Sequence, residues 1–318
     1  MFLTRRAPVL MLLVSAGCSA VATPSSVSDA AATTASRAES LTPTPTPMPE
    51  GLAQVVDFTD MVWGVASAGQ TIWVEGNELH QLDGATGEEL QTLPGFWPTI
   101  IGDTLWYLRD DELVAADPQT GRERATYQPP ILGTTVHDGI LWTADEETGR
   151  LARIDLDTGK VLGQLQLPTG EPKWIEAWEG AIWVVIDGSD VVVRIDPRTG
   201  KITDTIETGS RPHSVVTGFG SLWVIEHGIG EVLRLEPEHG EIEARIAGPG
   251  INVAIAVAGD YVWASSTDSI MKIDPATNQV VGEIELGFGE LYGMAASQGS
   301  LWVTTGGAGK GLYQIPIP

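Results

Sequence analysis

A tryptophan recurs down this chain at a nearly constant interval, each time in the same local setting. Trp73, Trp106, Trp142, Trp183, Trp223, Trp263 and Trp302 are spaced by 33, 36, 41, 40, 40 and 39 residues, and each follows Ile, Leu or Val. A glycine stands three or four residues before each one, as at Gly69, Gly102, Gly220, Gly259 and Gly299. Ten to fourteen residues after most of them comes an Asp-x-x-Thr-Gly turn, at 83–87, 117–121, 155–159 and 196–200, with degenerate copies at 236–240 and 274–278. A fixed period near 40 residues is the mark of a stacked or radial repeat, in which no unit buries its apolar surface alone.

Each period reads as strands only. Residues 213–218, 221–227, 231–237 and 241–247 are four short strand-like runs divided by Gly-containing turns. In the Asp-Pro-x-Thr-Gly turn the Asp accepts backbone N–H groups, Pro fixes φ, and Gly supplies the positive φ that closes a hairpin. Four antiparallel strands repeated radially predict an all-β, seven-bladed β-propeller over residues 51–318, with the regular Trp packing each blade on its neighbour. The two ends support this count. The seventh period stops after its third strand at 311–318, and residues 51–58 read as a fourth strand with no preceding three. Pairing strand 51–58 into the last blade closes the ring and removes both open edges, so a monomer is expected.

What precedes the ring is of another kind. Arg5 and Arg6 lead a short apolar run, Ala7 to Ala16, too short for a bilayer span of roughly 20 residues. This predicts a signal peptide over 1–17. Residues 18–50 are rich in Ser, Thr, Ala and Pro and carry too few apolar side chains for a core, which predicts a disordered tether. Acidic residues outnumber basic ones by 42 to 18, a formal charge of −24. That balance excludes a nucleic-acid partner, which needs a basic face, and disfavours direct contact with an anionic membrane. A single Cys excludes an internal disulfide framework and a thiolate metal cluster.

Two resemblances follow from these residues. Ser15, Ala16 and Gly17 lead straight into Cys18, which resembles the lipobox of bacterial lipoproteins, with Ser15 where Leu is usual. It implies that Cys18 is lipidated, that the protein is extracytoplasmic, and that it meets the membrane only through that anchor. The Ile/Leu-Trp-Val strand and the Arg-Ile-Asp-Pro-x-Thr-Gly turn resemble the YVTN-type and streptogramin-lyase-like (virginiamycin B lyase-like) seven-bladed propellers of bacteria. The turn is also similar to the repeat of quinone-cofactor dehydrogenases, but those have eight blades and a Trp after the Gly, where this chain has Leu90, Arg124 and Leu162.

In a propeller the start of each first strand and the end of each second strand meet on one face. Counting ten back from each repeat Trp gives Trp63, Phe96, Leu132, Lys173, His213, Val253 and Tyr292, with Trp97, Trp174, Arg211 and Asn252 beside them. The expected ligand-binding face is therefore Trp63, Trp97, Lys173, Trp174, Arg211, His213, His227 and Tyr292. His213 and Glu226 are the candidate catalytic pair; Glu226 and His227 are adjacent on a strand, so at most one faces the channel. His137 and His239 fall in turns. Neither a Gly-x-Ser-x-Gly elbow nor a His-x-x-x-His pair occurs. The favoured expectation is therefore non-enzymatic: a cell-envelope binding or scaffold module for a protein or small-molecule ligand. The alternative, implied by the resemblance, is a lyase or hydrolase of streptogramin-lyase type, a carbon–oxygen lyase using a divalent metal, Mg in that family, with ligands unknown; Ca is a separate expectation, from the paired carboxylates Asp110-Asp111 and Glu146-Glu147 in turns.

Overall fold

A computed structural model describes residues 53–56 and 62–317, apart from 129–132, 249, 251–252, 288–289, 298 and 307–309. The signal segment, Cys18 and the tether lie outside the described residues, as do Leu132 and Asn252.

Seven four-stranded antiparallel sheets form the blades of one ring, and no helix occurs among the described residues. Blade one comprises Val65–Ala68, Thr71–Glu75, Leu79–Asp83 and Glu89–Leu93, and the next five blades repeat this order. Blade seven comprises Leu291–Ser297, Ser300–Thr305 and Gly311–Pro316, and its fourth strand is Ala53–Val56. That strand pairs antiparallel with Gly311–Pro316, Ala53 opposite Gln314 and Val56 opposite Leu312. The ring thus closes as its ends predicted.

Burial explains the sequence of each strand. The second strand lies between two neighbouring blades and is apolar throughout; all seven residues of Ala181–Asp187 are buried. The fourth strand forms the rim, and Lys201–Glu207 alternates exposed and half-buried residues. Each of seven apolar clusters joins one blade to the next around a repeat Trp. Trp183 packs with Leu222 and Val224, Trp223 with Val262 and Ala264, and Trp302 with Ile72 and Val74 across the closure.

The turns carry the expected chemistry. Asp83 Oδ1 accepts the N–H groups of Ala85 and Thr86 at 2.9 and 2.8 Å, and Gly87 closes the turn at φ 73°. In the degenerate copy Glu236 replaces Asp and accepts the N–H of Glu238 at 2.7 Å and of His239 at 2.5 Å. These turns and the Gly turns before each Trp lie on one face of the ring. The starts of the inner strands lie on the other, which is the channel mouth considered next.

Candidate functional site

Four inner strands are irregular near their starts. The pairing register shifts between Phe96 and Thr99, Pro172 and Trp174, Pro212 and Val215, and Leu291 and Gly293. A bulge re-aims the side chains it carries. Those side chains are Trp97, Lys173, His213 and Tyr292, all of which the repeat spacing had placed at the mouth. Trp97 and Arg211 also hold left-handed backbone, at φ 53° and 54°, a strained region for such residues. Trp63, Trp97 and Trp174 are 42%, 45% and 44% exposed. Trp63 packs on Tyr292 across the blade closure, ring centroids 4.6 Å apart, and Tyr292 Oη donates to Glu290 at 3.0 Å.

Blades three to five contribute a charged cluster. Lys173 Nζ is bound by Glu146 and lies 2.6 Å from Glu171. Burial works against the Lys173 ammonium, but the two carboxylates outweigh it and raise its pKa. Arg211 reaches Asp187 at 3.2 and 3.4 Å, while its backbone N–H is held by Asp190 at 2.8 Å. The rings of His213 and His227 are 5.8 Å apart. Burial, then the fields of His227 and Lys173, depress the His213 pKa to about 4, so it is neutral at pH 7.

The hydrogen bonds fix its tautomer. Ser214 Oγ donates its one hydrogen to Val253 O at 2.6 Å and lies 2.9 Å from His213 Nδ1. It can therefore only accept from Nδ1–H, which leaves Nε2 as the acceptor.

Glu226 is fully buried, and its Oε2 accepts the N–H of Ser210 at 2.5 Å. Burial raises its pKa, opposed by Ser210 and Thr208. His227, by contrast, lies against His213, so the two adjacent side chains diverge as strand alternation requires.

One acid here, Glu75, escaped the sequence reading, whereas Glu176 was among the acids expected from blade four. Glu75 ends the second strand of blade one, is 6% exposed, and is pushed up to about 7 by burial, against hydrogen bonds from the N–H groups of Trp97 and Gly64. Glu176, on the inner strand Glu171–Trp178, is also pushed up to about 7 by burial. Glu75 stands two residues after its repeat Trp rather than three or four, so position counting passed over it.

A divalent cation such as Mg or Ca needs several converging oxygen ligands. Among the described residues no three His, Cys, Asp or Glu side chains converge at metal distance. The nearby carboxylates of Glu146, Glu171 and Asp187 are engaged by Lys173 and Arg211. The described residues do not by themselves form a ligand set for the ion that the lyase resemblance brings.

No protein-family model matches the chain, and no curated protein matches it in sequence. Solved structures do. Virginiamycin B lyase from Staphylococcus aureus is 19% identical with a TM-score of 0.70, over 84% of this chain and 98% of that one. A streptogramin B lyase structure is 19% identical with a TM-score of 0.72, over 84% and 97%. The fold is theirs. U3-55K, however, superposes as well, with a TM-score of 0.71 at 10% identity over 86% and 100% of the two chains. The likeness is thus one of architecture.

Proposed function

We propose that the protein is a lipid-anchored, extracytoplasmic binding module whose channel mouth takes a small-molecule or peptide ligand. The observation that supports this reading is the set of four bulged inner strands, which carry Trp97, Lys173, His213 and Tyr292 at the same end of the ring as the exposed Trp63 and Trp174. Exposed indole faces offer stacking surface, while Lys173, Arg211 and His213 offer oriented polar groups, the usual composition of a ligand site. Residues 1–17 act as the export signal, Cys18 carries the lipid, and 18–50 hold the ring off the membrane.

A thermal-shift screen of metabolites and peptides tests the binding reading, since a ligand raises the melting temperature by mass action. A shift lost in both Trp174→Ala and His213→Ala supports it; a shift unchanged in both refutes it. Membrane fractionation tests the anchor: Cys18→Ser should move the protein to the soluble fraction, and unchanged partitioning rejects lipidation.

A second reading, of streptogramin-lyase type, draws on the neutral His213 with Nε2 unprotonated beside His227. Its chemistry would be proton abstraction by His213 Nε2, with the buried Glu226 as the other candidate group, and it takes no support from a metal set. A pKa of about 4 makes His213 a weak base at pH 7, which is why binding is the better supported function. Turnover abolished by His213→Ala would reverse that order.

A further inference from the structure

On the opposite face, at the junction of blades three and four, His137, Asp138, Ile140, Trp142, Arg153, Pro197 and Arg198 line a cleft of about 220 Å³. His137 closes the inner strand Gly133–His137 rather than lying in the turn that follows. Arg153 sits opposite Trp142 in the sheet, its guanidinium 5.1 Å from the ring centre.

The repeat supplies an internal control. In blade five the equivalent Arg234 is fully engaged. Nε bonds Ser221 Oγ at 2.7 Å and Glu243 at 2.9 Å, and Nη1 bonds Pro275 O at 2.6 Å and Asn278 Oδ1 at 2.9 Å on the next blade. In blade four the equivalent Arg194 is held at Nη1 by Thr203 and Asp204, although its Nε, like that of Arg153, is buried without a partner among the described residues. Counting from the repeat Trp and the turns, the places of Ser221, Glu243 and Asn278 are taken around Arg153 by Ile140, Leu162 and Gly200. None of these three places keeps a side-chain acceptor, and the carboxylate of Asp138, which also lines the cleft, makes no bond to Arg153. Arg153 makes no hydrogen bond or ion pair among the described residues, and its Nε is buried without a partner. Gly200 gives the guanidinium its room, since a Cβ there would lie 2.8 Å from Arg153 Nη1.

The repeat indoles fall into two groups. Trp73 Nε1 donates to Pro118 O on the next blade at 2.8 Å, and Trp223 and Trp263 donate to the carbonyl five residues earlier at 3.0 Å. For Trp142 the corresponding residues are Pro197 and His137, and both line the cleft. Trp142 is fully buried and its Nε1 has no hydrogen-bond partner among the described residues, as is also true of Trp106, Trp183 and Trp302, so the free indole N–H is available to a ligand here without being peculiar to this blade.

We propose that this cleft is a binding site for a small oxyanion, a carboxylate or phosphate, held by Arg153 and Trp142 Nε1 within and by Arg198 at the entrance. A guanidinium fork matches either oxyanion in two-point geometry. Arg153 is half-buried and stacks on Trp142 but has no counter-charge among the described residues, and an anionic ligand supplies one. The volume suits a small acid or phosphate rather than a drug-sized molecule.

The test is an indole ¹⁵N–¹H titration of the full-length protein with inorganic phosphate and, separately, with succinate at constant ionic strength. The Trp142 resonance is assigned with Trp142→Phe. The expected result is a saturable shift of that resonance at millimolar ligand, with the dissociation constant raised about tenfold in Arg153→Gln and less in Arg198→Ala. Response to phosphate alone or to succinate alone sustains the site and names its oxyanion. No saturable shift with either, or a shift weakened by Arg198→Ala and untouched by Arg153→Gln, overturns the proposal. Arg198 is almost fully exposed, so its variant folds normally and keeps the test open if Arg153→Gln does not fold.

Discussion

Replacing Glu75 by Gln should change the pH dependence of stability in a direction and by an amount the structure fixes. The carboxyl is 6% exposed and titrates near 7 in the fold, against 4.5 when unfolded. Between those values the folded protein binds the proton and the unfolded chain does not. Stability is therefore fully present below pH 4.5 and is lost as pH rises through 7. At 1.36 kcal/mol per pH unit, this difference makes wild type lose about 3 kcal/mol across the window, an upper figure because water entering on ionisation lowers the cost. Gln keeps an oxygen for the N–H groups of Trp97 and Gly64 but cannot ionise.

Urea denaturation followed by tryptophan fluorescence at about pH 5 and about pH 8 reads the effect. The variant should be less stable than or equal to wild type at the lower pH and should gain up to about 3 kcal/mol relative to it at the higher. Glu176 titrates in the same range and is present in both proteins, so it cancels from the comparison. Parallel stability–pH curves for the two proteins would show that Glu75 does not carry an elevated pKa, and the reasoning would fail.

Three further outcomes are expected. His213 has the opposite sign to Glu75: its pKa falls from 6.5 to about 4 on folding, so its contribution is present above 6.5 and lost as pH falls to about 4. In His213→Gln that acid-side loss should shrink in the same urea assay. Trp223→Ala removes a fully buried side chain from the blade five–six cluster and should cost about 3–5 kcal/mol, measured as a lower urea midpoint. Deleting residues 53–56 unpairs Gly311–Pro316 and should lower the melting temperature and give dimers or larger species by size-exclusion chromatography, because an open sheet edge recruits another chain.

The architecture was legible because its determinants are local and repeated. A Gly-turn before each Trp, an apolar second strand and an Asp-x-x-Thr-Gly turn after the third recur often enough to align the blades against one another. The orphan strand at 51–58 and the truncated last period even gave the closure. Site positions were legible only as far as counting carries. Ten residues back from the Trp does reach the bulged segments, but the bulges themselves depend on pairing between strands. So do the left-handed backbone at Trp97 and Arg211, the capture of Lys173 by Glu146 from another blade, and the tautomer of His213. Glu75 was missed because at two residues after the Trp it belongs to the other side of the strand from Glu226.

A repeat protein makes its own consensus the background against which special positions stand out. Asp83, Asp117, Asp155 and Asp196 are held below the usual carboxylate range chiefly by hydrogen bonds within the turns or to a neighbouring Arg. That regular depression is scaffold chemistry, and it says nothing of ligands. The informative carboxyls depart from it: Glu75 and Glu176 are raised, and both lie away from the turns, toward the channel. The same logic separates Arg153 from Arg234. Both occupy one repeat position and both stack on the repeat Trp, yet only Arg234 retains the acceptors that neutralise it. Structural duty alone would favour keeping those acceptors in each blade, since the guanidinium is partly buried in both. Around Arg153 those acceptors are absent and Gly200 leaves room, so the scaffold uses the guanidinium only in its stack on Trp142 and leaves it without a counter-charge among the described residues.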